Sequence, residues 1–344
     1  MSPGIVQLVA IGAQDEFIMG DPEISFFNSS FKRHSNFSQS TEKQTIRGDV
    51  KNNSMSSVQL EKSGDMLGYI YLTIDDTTNA LDTSRWDLLI DKVELLIGGS
   101  VIDTQDSIFT EKIAIDTSAQ NVSRSAIGTH PGVSARSFFY PLRFFFCESP
   151  QAALPLVALN YHNVELRIYW GSTASNYNVE LYANYYYLDN EERGNMALRT
   201  HDLLITQVQK NEATGELIQD LTFNHPVKYI ASSDTTTNGA LTSPTNKVKL
   251  NINGVDLSNY RWCRPHFMDV QNYYHTNFVV APDFFLYCFC LMTSSLQPTG
   301  TLNFSRIESA KIMSENIPIN HPIYAVNYNI LRIQNGMAGL LYAN

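Results

Sequence analysis

Short segments rich in β-branched and aromatic residues, separated by turn residues, run along the whole chain. In residues 163–170 (NVELRIYW) apolar and polar residues alternate, so every second side chain would face the same side of a strand. The same alternation in 323–333 (IYAVNYNILRI) predicts one buried and one exposed face. This pattern is typical of antiparallel sheets with one buried face, and therefore of a sandwich or barrel.

The strand signals exceed the roughly seven to nine strands that one sandwich holds. We therefore predict an all-β fold of two tandem eight-stranded antiparallel jelly-roll sandwiches, with short helices in the loops. The charged stretch 188–202 lacks strand character and is the predicted junction. The predicted strands are 58–60, 66–74, 92–98, 135–146, 163–170, 179–188, 202–209, 227–232, 247–254, 283–292, 301–305 and 323–333. Short helices are predicted at 106–116, 150–155 and 258–264. The predicted domains are an N-terminal arm (1–22), a first jelly roll (23–190), a linker (191–202) and a second jelly roll (203–344).

Composition excludes several classes of protein. The formal net charge of -10 opposes non-specific binding to phosphate backbones, and no run of five or six like charges supplies a basic arm. Four cysteines are too few for a disulfide scaffold in a chain of 344 residues. The N-terminus has no basic region before its apolar run, so we expect a soluble protein from a reducing compartment, without a signal peptide.

Chemistry-bearing motifs are isolated. No P-loop, GxGxxG, GxSxG, HExxH or EF-hand pattern occurs, so we expect no enzyme activity, catalytic residues, cofactor or metal. Cys263 and His266 have the spacing of half a zinc site, but no second ligand pair follows, which favours a buried thiol. Cys288 and Cys290 would share one face of an apolar strand; a reactive pair is possible there, and core packing is the favoured interpretation.

One stretch, FFNSSFKRHSNF (26–37), interleaves aromatic and basic residues. Read alone, it is compatible with a nucleic-acid platform or with a packed segment that has a charged end. We expect its phenylalanines Phe26, Phe27 and Phe31 to pack at the start of the first sandwich.

Three blocks of sequence carry a family resemblance. They are residues 4–38, residues 138–168 followed by 182–193, and residues 303–315 with 323–344. In this order they resemble the major capsid proteins of nucleocytoplasmic large DNA viruses, a double jelly-roll family. The resemblance spans almost the whole chain.

The resemblance implies a structural virion protein. It implies a homotrimer with a pseudo-hexagonal outline that tiles an icosahedral capsid around a large double-stranded DNA genome, assembled in the host cytoplasm. The implied partners are neighbouring capsomers and either minor capsid proteins or an inner membrane, with no direct sequence-specific nucleic-acid binding. The apolar N-terminal segment, predicted to be irregular, would anchor the capsomer from the inner side of the shell. Lys32, Arg33 and His34 become candidate capsid-contact residues.

Two alternatives stay open at this point. The chain is shorter than many members of the family, which leaves room for a paralogous minor capsid protein of the same fold. A carbohydrate-binding β-sandwich protein is the less favoured alternative, with NYYYLDN (184–190) as its candidate aromatic platform. A carbohydrate-binding protein would expose such aromatics beside polar partners, whereas a capsid protein would bury them.

Overall fold

The computed structural model describes residues 3–75, 86–118, 139–233, 239–276 and 284–343. The chain divides into two units, an arm that ends at Asn36 and a body that runs from Phe37 to Asn344.

The arm contains two short helices, α1 (Pro3–Val9) and α2 (Ala13–Met19). The first turn of α2 is closed by the Gly12 backbone N–H, which donates to Oδ2 of Asp15 at 2.9 Å. The prediction of an irregular N-terminal segment is therefore wrong for these residues. Apolar side chains on both helices are exposed, including Leu8 and Phe17.

The body is built from antiparallel strands. Its first half contains β1 (Phe37–Gln44), β2 (Met55–Gln59), β3 (Met66–Asp75), β4 (Ile90–Ile97), β5 (Ser100–Asp106), β6 (Phe139–Pro141), β7 (Leu154–Pro155), β8 (Val164–Trp170) and β9 (Asn178–Leu188). Its second half contains β10 (His201–Asn211), β11 (Ile218–Asp220), β12 (Pro226–Ser233), β13 (Lys247–Ile252), β14 (Val255–Asp256), β15 (Arg261–Trp262), β16 (Phe284–Cys288), β17 (Leu302–Asn303), β18 (Ala310–Ser314), β19 (Ile323–Gln334) and β20 (Met337–Leu340).

Helical segments lie in the connections between strands. Among the described residues of the body, the α-helices are α3 (Ala114–Thr117), α4 (Asn190–Leu198) and α5 (Gln271–His275). Wider π-helical turns span Phe109–Ile113 and Cys263–Val270. Short 3-10 turns lie at Trp86–Leu88, Phe145–Cys147, Pro150–Ala152, Leu156–Ala158, Ala174–Asn176 and Phe304–Arg306.

Each half forms a sandwich of two sheets. In the first, sheet A has the order β1-β9-β3-β6 with β7 beside β3, and sheet B has the order β2-β8-β4-β5. In the second, sheet C has the order β10-β19-β12-β16 with β17 and β20 attached, and sheet D has the order β11-β18-β13-β14 with β15 beside β13. The two interiors belong to different apolar clusters, with Trp170 in the first and Phe285 in the second, and the first cluster also includes Ile205, Leu331, Ile333 and Ala338 of the second half. The predicted all-β fold of two sandwiches is confirmed, while eight strands in each stays a prediction.

Tight turns set the register of two hairpins. Asn253 and Gly254 join β13 to β14, and Asn335 and Gly336 join β19 to β20. All four residues have positive φ, between 49° and 79°. A two-residue turn with two positive φ angles matches the twist of the flanking strands, and Asn-Gly adopts it at low cost.

The connection between the sandwiches is helical. Helix α4 begins after Asp189, whose side chain accepts a hydrogen bond from the Asn190 backbone N–H at 2.8 Å. Glu191 and Glu192 lie in its first turn, where their negative charge stabilises the positive end of the helix dipole. A capped helix thus explains the absence of strand character in most of 188–202, while Leu188 ends β9 and His201 begins β10.

The local expectations hold in some elements and fail in others. In β8 the alternation is confirmed, because Val164, Leu166, Ile168 and Trp170 are buried and the residues between them are not. In β19 the expected exposed face is wrong, because residues 323–329 are buried on both sides of the strand. The helix predicted at 258–264 is also wrong for most of its length, since residues 261–262 pair with β13 and helical structure begins at Cys263.

Candidate assembly sites

A third apolar cluster fills the junction between the two sandwiches. Phe109 and Ile113 reach it from the first half, just after β5. They pack against side chains of sheet C: Tyr229, Ala231, Phe284, Leu286, Tyr324 and Val326. The rings of Phe109 and Tyr324 lie 5.8 Å apart, with an interplanar angle of 46°. The second face of β19 is buried because it forms one wall of this junction.

A buried carboxyl group ties β5 to β10 across the junction. Oδ1 of Asp103 accepts a hydrogen bond from the Val208 backbone N–H at 2.8 Å, and Oδ2 accepts one from Nε2 of Gln105 at 2.8 Å. Burial raises the pKa of Asp103 to about 7, although these hydrogen bonds favour the ionised form. Beside it, Nε2 of Gln207 donates to the Ile102 carbonyl oxygen.

A second carboxylate of β5 holds the other side of the junction. Oδ2 of Asp106 accepts a hydrogen bond from the Tyr324 hydroxyl at 2.6 Å and lies 3.2 Å from Nζ of Lys210. Oδ1 of Asp106 accepts one from the Phe109 backbone N–H at 2.9 Å. One side chain therefore places Phe109 in the apolar cluster and binds two strands of sheet C. Burial raises the pKa of Tyr324, which keeps its hydroxyl protonated as a donor.

Charged side chains from both sandwiches meet beside these bonds. Glu148 and Arg143 of the first half and Lys228 of the second line a cavity of about 20 Å³, which is large enough for a water molecule. Burial raises the pKa of Glu148 and lowers that of Lys228, while their mutual attraction opposes both shifts. A bulge between Val227 and Tyr229 gives Lys228 its place in β12.

An aromatic face lies on the outside of sheet A. The rings of Tyr71 and Tyr182 stack 5.5 Å apart, and Phe139 meets Tyr71 edge-on at 6.4 Å. Tyr69 extends this row and is partly exposed. Tyr69, Tyr71 and Phe139, together with Arg143, border a surface cavity of about 560 Å³. A row of partly exposed aromatic rings around a concavity is typical of a protein contact surface.

Comparison with known proteins decides the family. Residues 25–189 match the family described as major capsid protein N-terminus, and residues 230–339 match the large eukaryotic DNA virus major capsid protein family. The chain is 32% identical to the major capsid protein of Pyramimonas orientalis virus and 30% identical to that of Paramecium bursaria Chlorella virus 1, with full coverage of both chains in each case. The chain belongs to the major capsid protein family of large DNA viruses.

Solved capsid structures have the same fold. A chain of the quasi-atomic PBCV-1 virus capsid superimposes with a TM-score of 0.77 at 27% identity, covering 93% of this chain and 100% of that one. The Faustovirus major capsid protein superimposes with a TM-score of 0.64 at 13% identity, covering 94% of each chain, which supports the fold alone. The two sandwiches described above are thus the double jelly roll of this family.

The basic residues named from the sequence lie in the arm of this capsid-family chain. Lys32, Arg33 and His34 are exposed and belong to no helix or strand, and Nδ1 of His34 lies 2.8 Å from the Ser35 carbonyl oxygen. Phe26, Phe27 and Phe31 are at least 88% exposed in the single chain. These phenylalanines belong to the arm and strand pairing begins only at Phe37, so the expectation that they pack at the start of the first sandwich stays a prediction.

The cysteines are buried to different degrees. Cys263 lies in the interior of the second sandwich, and its thiol donates to the Ala240 carbonyl oxygen at 3.4 Å. Burial raises its pKa to about 12. Within the described ranges, no three His, Cys, Asp or Glu side chains come together as a metal site requires. Cys290 is buried and Cys288 is half-buried, as the favoured core-packing interpretation expects. The expectation that both lie on one strand is wrong, because β16 ends at Cys288.

The aromatic platform suggested at 184–190 is only partly exposed. Tyr185 is fully buried, and the Tyr187 hydroxyl donates to Oε1 of Glu42 at 2.9 Å. Tyr185 points into the sandwich while Tyr186 and Tyr187 are only partly buried, so this cluster does not offer a continuous aromatic surface.

Sequence reasoning missed the junction residues Asp103 and Asp106. Their polarity argued against a buried position. The stretch SVIDTQD (100–106) resembles an exposed loop and was not predicted as a strand. Asp103 and Gln105 lie on one face of β5, and that face is covered by the second sandwich instead of being exposed to water.

Proposed function

We propose that this chain is the shell-forming subunit of the capsid of a large double-stranded DNA virus. Full-length similarity to major capsid proteins is the observation that carries the proposal. In the proposed function the chain acts by controlled self-association rather than by catalysis. Its site of action is the virion, and we place its assembly in the host cytoplasm. The net charge of -10 favours contacts with protein over contacts with the genome.

We further propose that three copies form a closed trimer. A ring of three requires two different surfaces of each copy to meet. The aromatic face of sheet A, with Tyr69, Tyr71 and Tyr182, is the surface that we assign to one side of this contact. Partly exposed aromatic rings lose little conformational freedom on association and bury much area, so they suit the core of such an interface. Six sandwiches in a ring would give the trimer a pseudo-hexagonal outline.

The oligomeric state tests this proposal directly. Light scattering of the purified protein should give a mass three times the 38.8 kDa of one chain, and electron micrographs should show hexagonal outlines. A Tyr71→Arg variant, which places a charge in the aromatic face, should lower the trimer fraction at least tenfold at micromolar concentration. A matched Tyr161→Arg variant changes an exposed tyrosine outside that face and should remain trimeric. A wild-type chain that stays monomeric at micromolar concentration would contradict the proposal.

The arm is the segment that we propose as the link to neighbouring components of the shell. Its two helices expose Ile5, Leu8 and Phe17, which have no apolar cover within the arm. Among the described residues, no helix combines the length and apolarity needed to cross a membrane. We therefore propose contact with minor capsid proteins or with the surface of an inner membrane.

Removal of residues 1–20 should separate trimer formation from shell formation. The expected result is an unchanged trimer mass with few or no closed shells, because the body keeps its sheets while the arm contact is lost. Trimer mass is measured by light scattering, and shells are counted by electron microscopy of infected cells complemented with the variant. Normal virion yield from the shortened chain would refute the role of the arm.

We also keep Lys32, Arg33 and His34 as proposed contact residues for an acidic neighbour. Lys32→Glu with Arg33→Glu reverses two exposed charges without touching the strands of the body. In the same complementation experiment, this variant should reduce shell yield, and unaffected assembly would remove the assignment.

A further inference from the structure

The outward face of sheet D has an organisation that capsid formation does not explain. On β13, Val248 and Leu250 point into the second sandwich, while Lys247, Lys249 and Asn251 point outward. Next to them lies a short edge formed by β14 and β15, with Asp256 opposite Asn251 and Trp262 opposite Lys247. We call this surface the outer face of sheet D.

Two aromatic rings are fixed on this face by lysines. Nζ of Lys247 lies 4.7 Å from the centroid of the Trp262 ring, and Nζ of Lys249 lies 4.8 Å from that of Tyr260. Such cation–π contacts occupy one side of each ring. Trp262 nevertheless remains 46% exposed and Tyr260 remains 39% exposed. Each ring therefore presents surface to solvent in a fixed orientation.

The rings are bordered by polar groups that are paired with one another. Oδ2 of Asp256 lies 2.7 Å from Nζ of Lys249, and its Oδ1 accepts a hydrogen bond from Nδ2 of Asn251 at 2.7 Å. Oε2 of Glu315 lies 3.1 Å from Nζ of Lys247. Lys311, opposite Asn251 on β18, pairs with Asp220 at 3.2 Å. Three lysines are thus matched by three carboxylates, and the face carries no net charge.

We propose that the outer face of sheet D binds a neutral, β-linked polysaccharide chain. The flat C–H face of a sugar ring stacks on an aromatic ring, and its hydroxyl groups need donors and acceptors beside that ring. Trp262 and Tyr260 supply the stacking surfaces, and the Asp256 carboxylate and the Asn251 amide lie beside them. Tyr260 and Trp262 are two residues apart, so their Cα atoms are at most about 7 Å apart, and sugar units of one flat polymer can reach both rings.

Charge and composition separate this ligand from other occupants. A second protein copy is a poor match, because interface cores are depleted in Lys, Asp and Glu, which here stand between and beside the rings. An anionic polysaccharide requires unpaired cations, whereas each lysine of this face already has a carboxylate partner. A neutral sugar chain meets neither objection. The inference concerns the single chain and does not depend on trimer formation.

Intrinsic fluorescence offers a direct test, because Trp262 differs from the other two tryptophans. Trp86 and Trp170 are 1% and 2% exposed, so acrylamide quenching of the full-length protein reports mainly on Trp262. Cellohexaose should protect this emission with a saturable dependence on concentration, while glucose, which covers one ring at most, should give at least tenfold weaker protection. Trp262→Leu and Tyr260→Leu should each lower the affinity for cellohexaose at least tenfold in calorimetry.

Tyr273→Leu is the matched control, since Tyr273 is 69% exposed but lies outside this face. It should bind cellohexaose like the wild type. The proposal is overturned if cellohexaose gives no saturable protection, if Trp262→Leu binds it unchanged, or if hexagalacturonate binds more tightly than cellohexaose. Loss of the trimer in Trp262→Leu would show a contact between copies instead and would also overturn it. Trimer mass, measured in parallel, keeps this result distinct from failure of the capsid proposal.

Discussion

Replacing Phe109 with alanine is expected to uncouple the unfolding of the two sandwiches. Phe109 is buried between them, and its ring contacts the Tyr324 ring at 5.8 Å. Loss of a buried phenylalanine side chain costs about 3–5 kcal/mol of unfolding free energy, through lost transfer energy and the cavity left behind. Because this side chain belongs to neither sandwich interior, the cost falls on the junction. Calorimetry of the full chain should show one main transition for the wild type and two for Phe109→Ala.

Phe304→Ala provides the matched control for this experiment. Phe304 is equally buried, but it lies inside the second sandwich, where its ring contacts Phe223 at 5.9 Å and Phe289 at 6.0 Å. Its loss should destabilise the second sandwich by a similar amount without separating the two. If Phe109→Ala unfolds in a single transition shifted like that of Phe304→Ala, the junction does not couple the sandwiches.

The fold was predictable where one face of a strand meets a core and the other meets water. In β8 this condition holds, so the alternation of Val164 to Trp170 identified the strand and its buried face. In β19 it fails, because the strand serves both the second sandwich and the junction. Periodicity in a single sequence contains no information about a second layer of protein. The same limit explains why Asp103 on β5 was missed.

Candidate surfaces were harder to predict than the fold. The density of tyrosines in 184–190 suggested an aromatic platform, but alternation along β9 buries Tyr185. The surface formed by Trp262 and Tyr260 was not predicted from the sequence, because their lysine partners lie on β13, more than ten residues away along the chain. The arm posed the opposite difficulty. Its phenylalanines resemble core residues in the sequence, yet they are at least 88% exposed in the single chain.

The pH dependence of stability offers the sharpest test of the polar half of the junction. The pKa of Asp103 is raised by burial from 3.8 to about 7, so the native state keeps this proton where the unfolded state has lost it. Native Asp103 therefore binds more protons than unfolded Asp103, and its contribution to stability falls as pH rises through this window. By linkage, the loss between pH 5.5 and pH 8 amounts to about 2 kcal/mol. Asp103→Asn does not titrate and should remove that part of the slope.

Urea unfolding of the full chain at pH 5.5, 6.5, 7.0 and 8.0 measures this difference. The unfolding free energy of the wild type relative to Asp103→Asn should decline across the series, with the steepest decline below pH 7. Asp202→Asn is the control, because Asp202 is exposed and its hydrogen bonds with Arg332 hold its pKa below the ordinary value. Asp202 stays ionised throughout the series, so its substitution should change stability equally at each pH. Parallel pH profiles for the wild type and Asp103→Asn would mean that Asp103 is already ionised at pH 5.5. The hydrogen bonds from Val208 and Gln105 would then outweigh the cost of burying its charge.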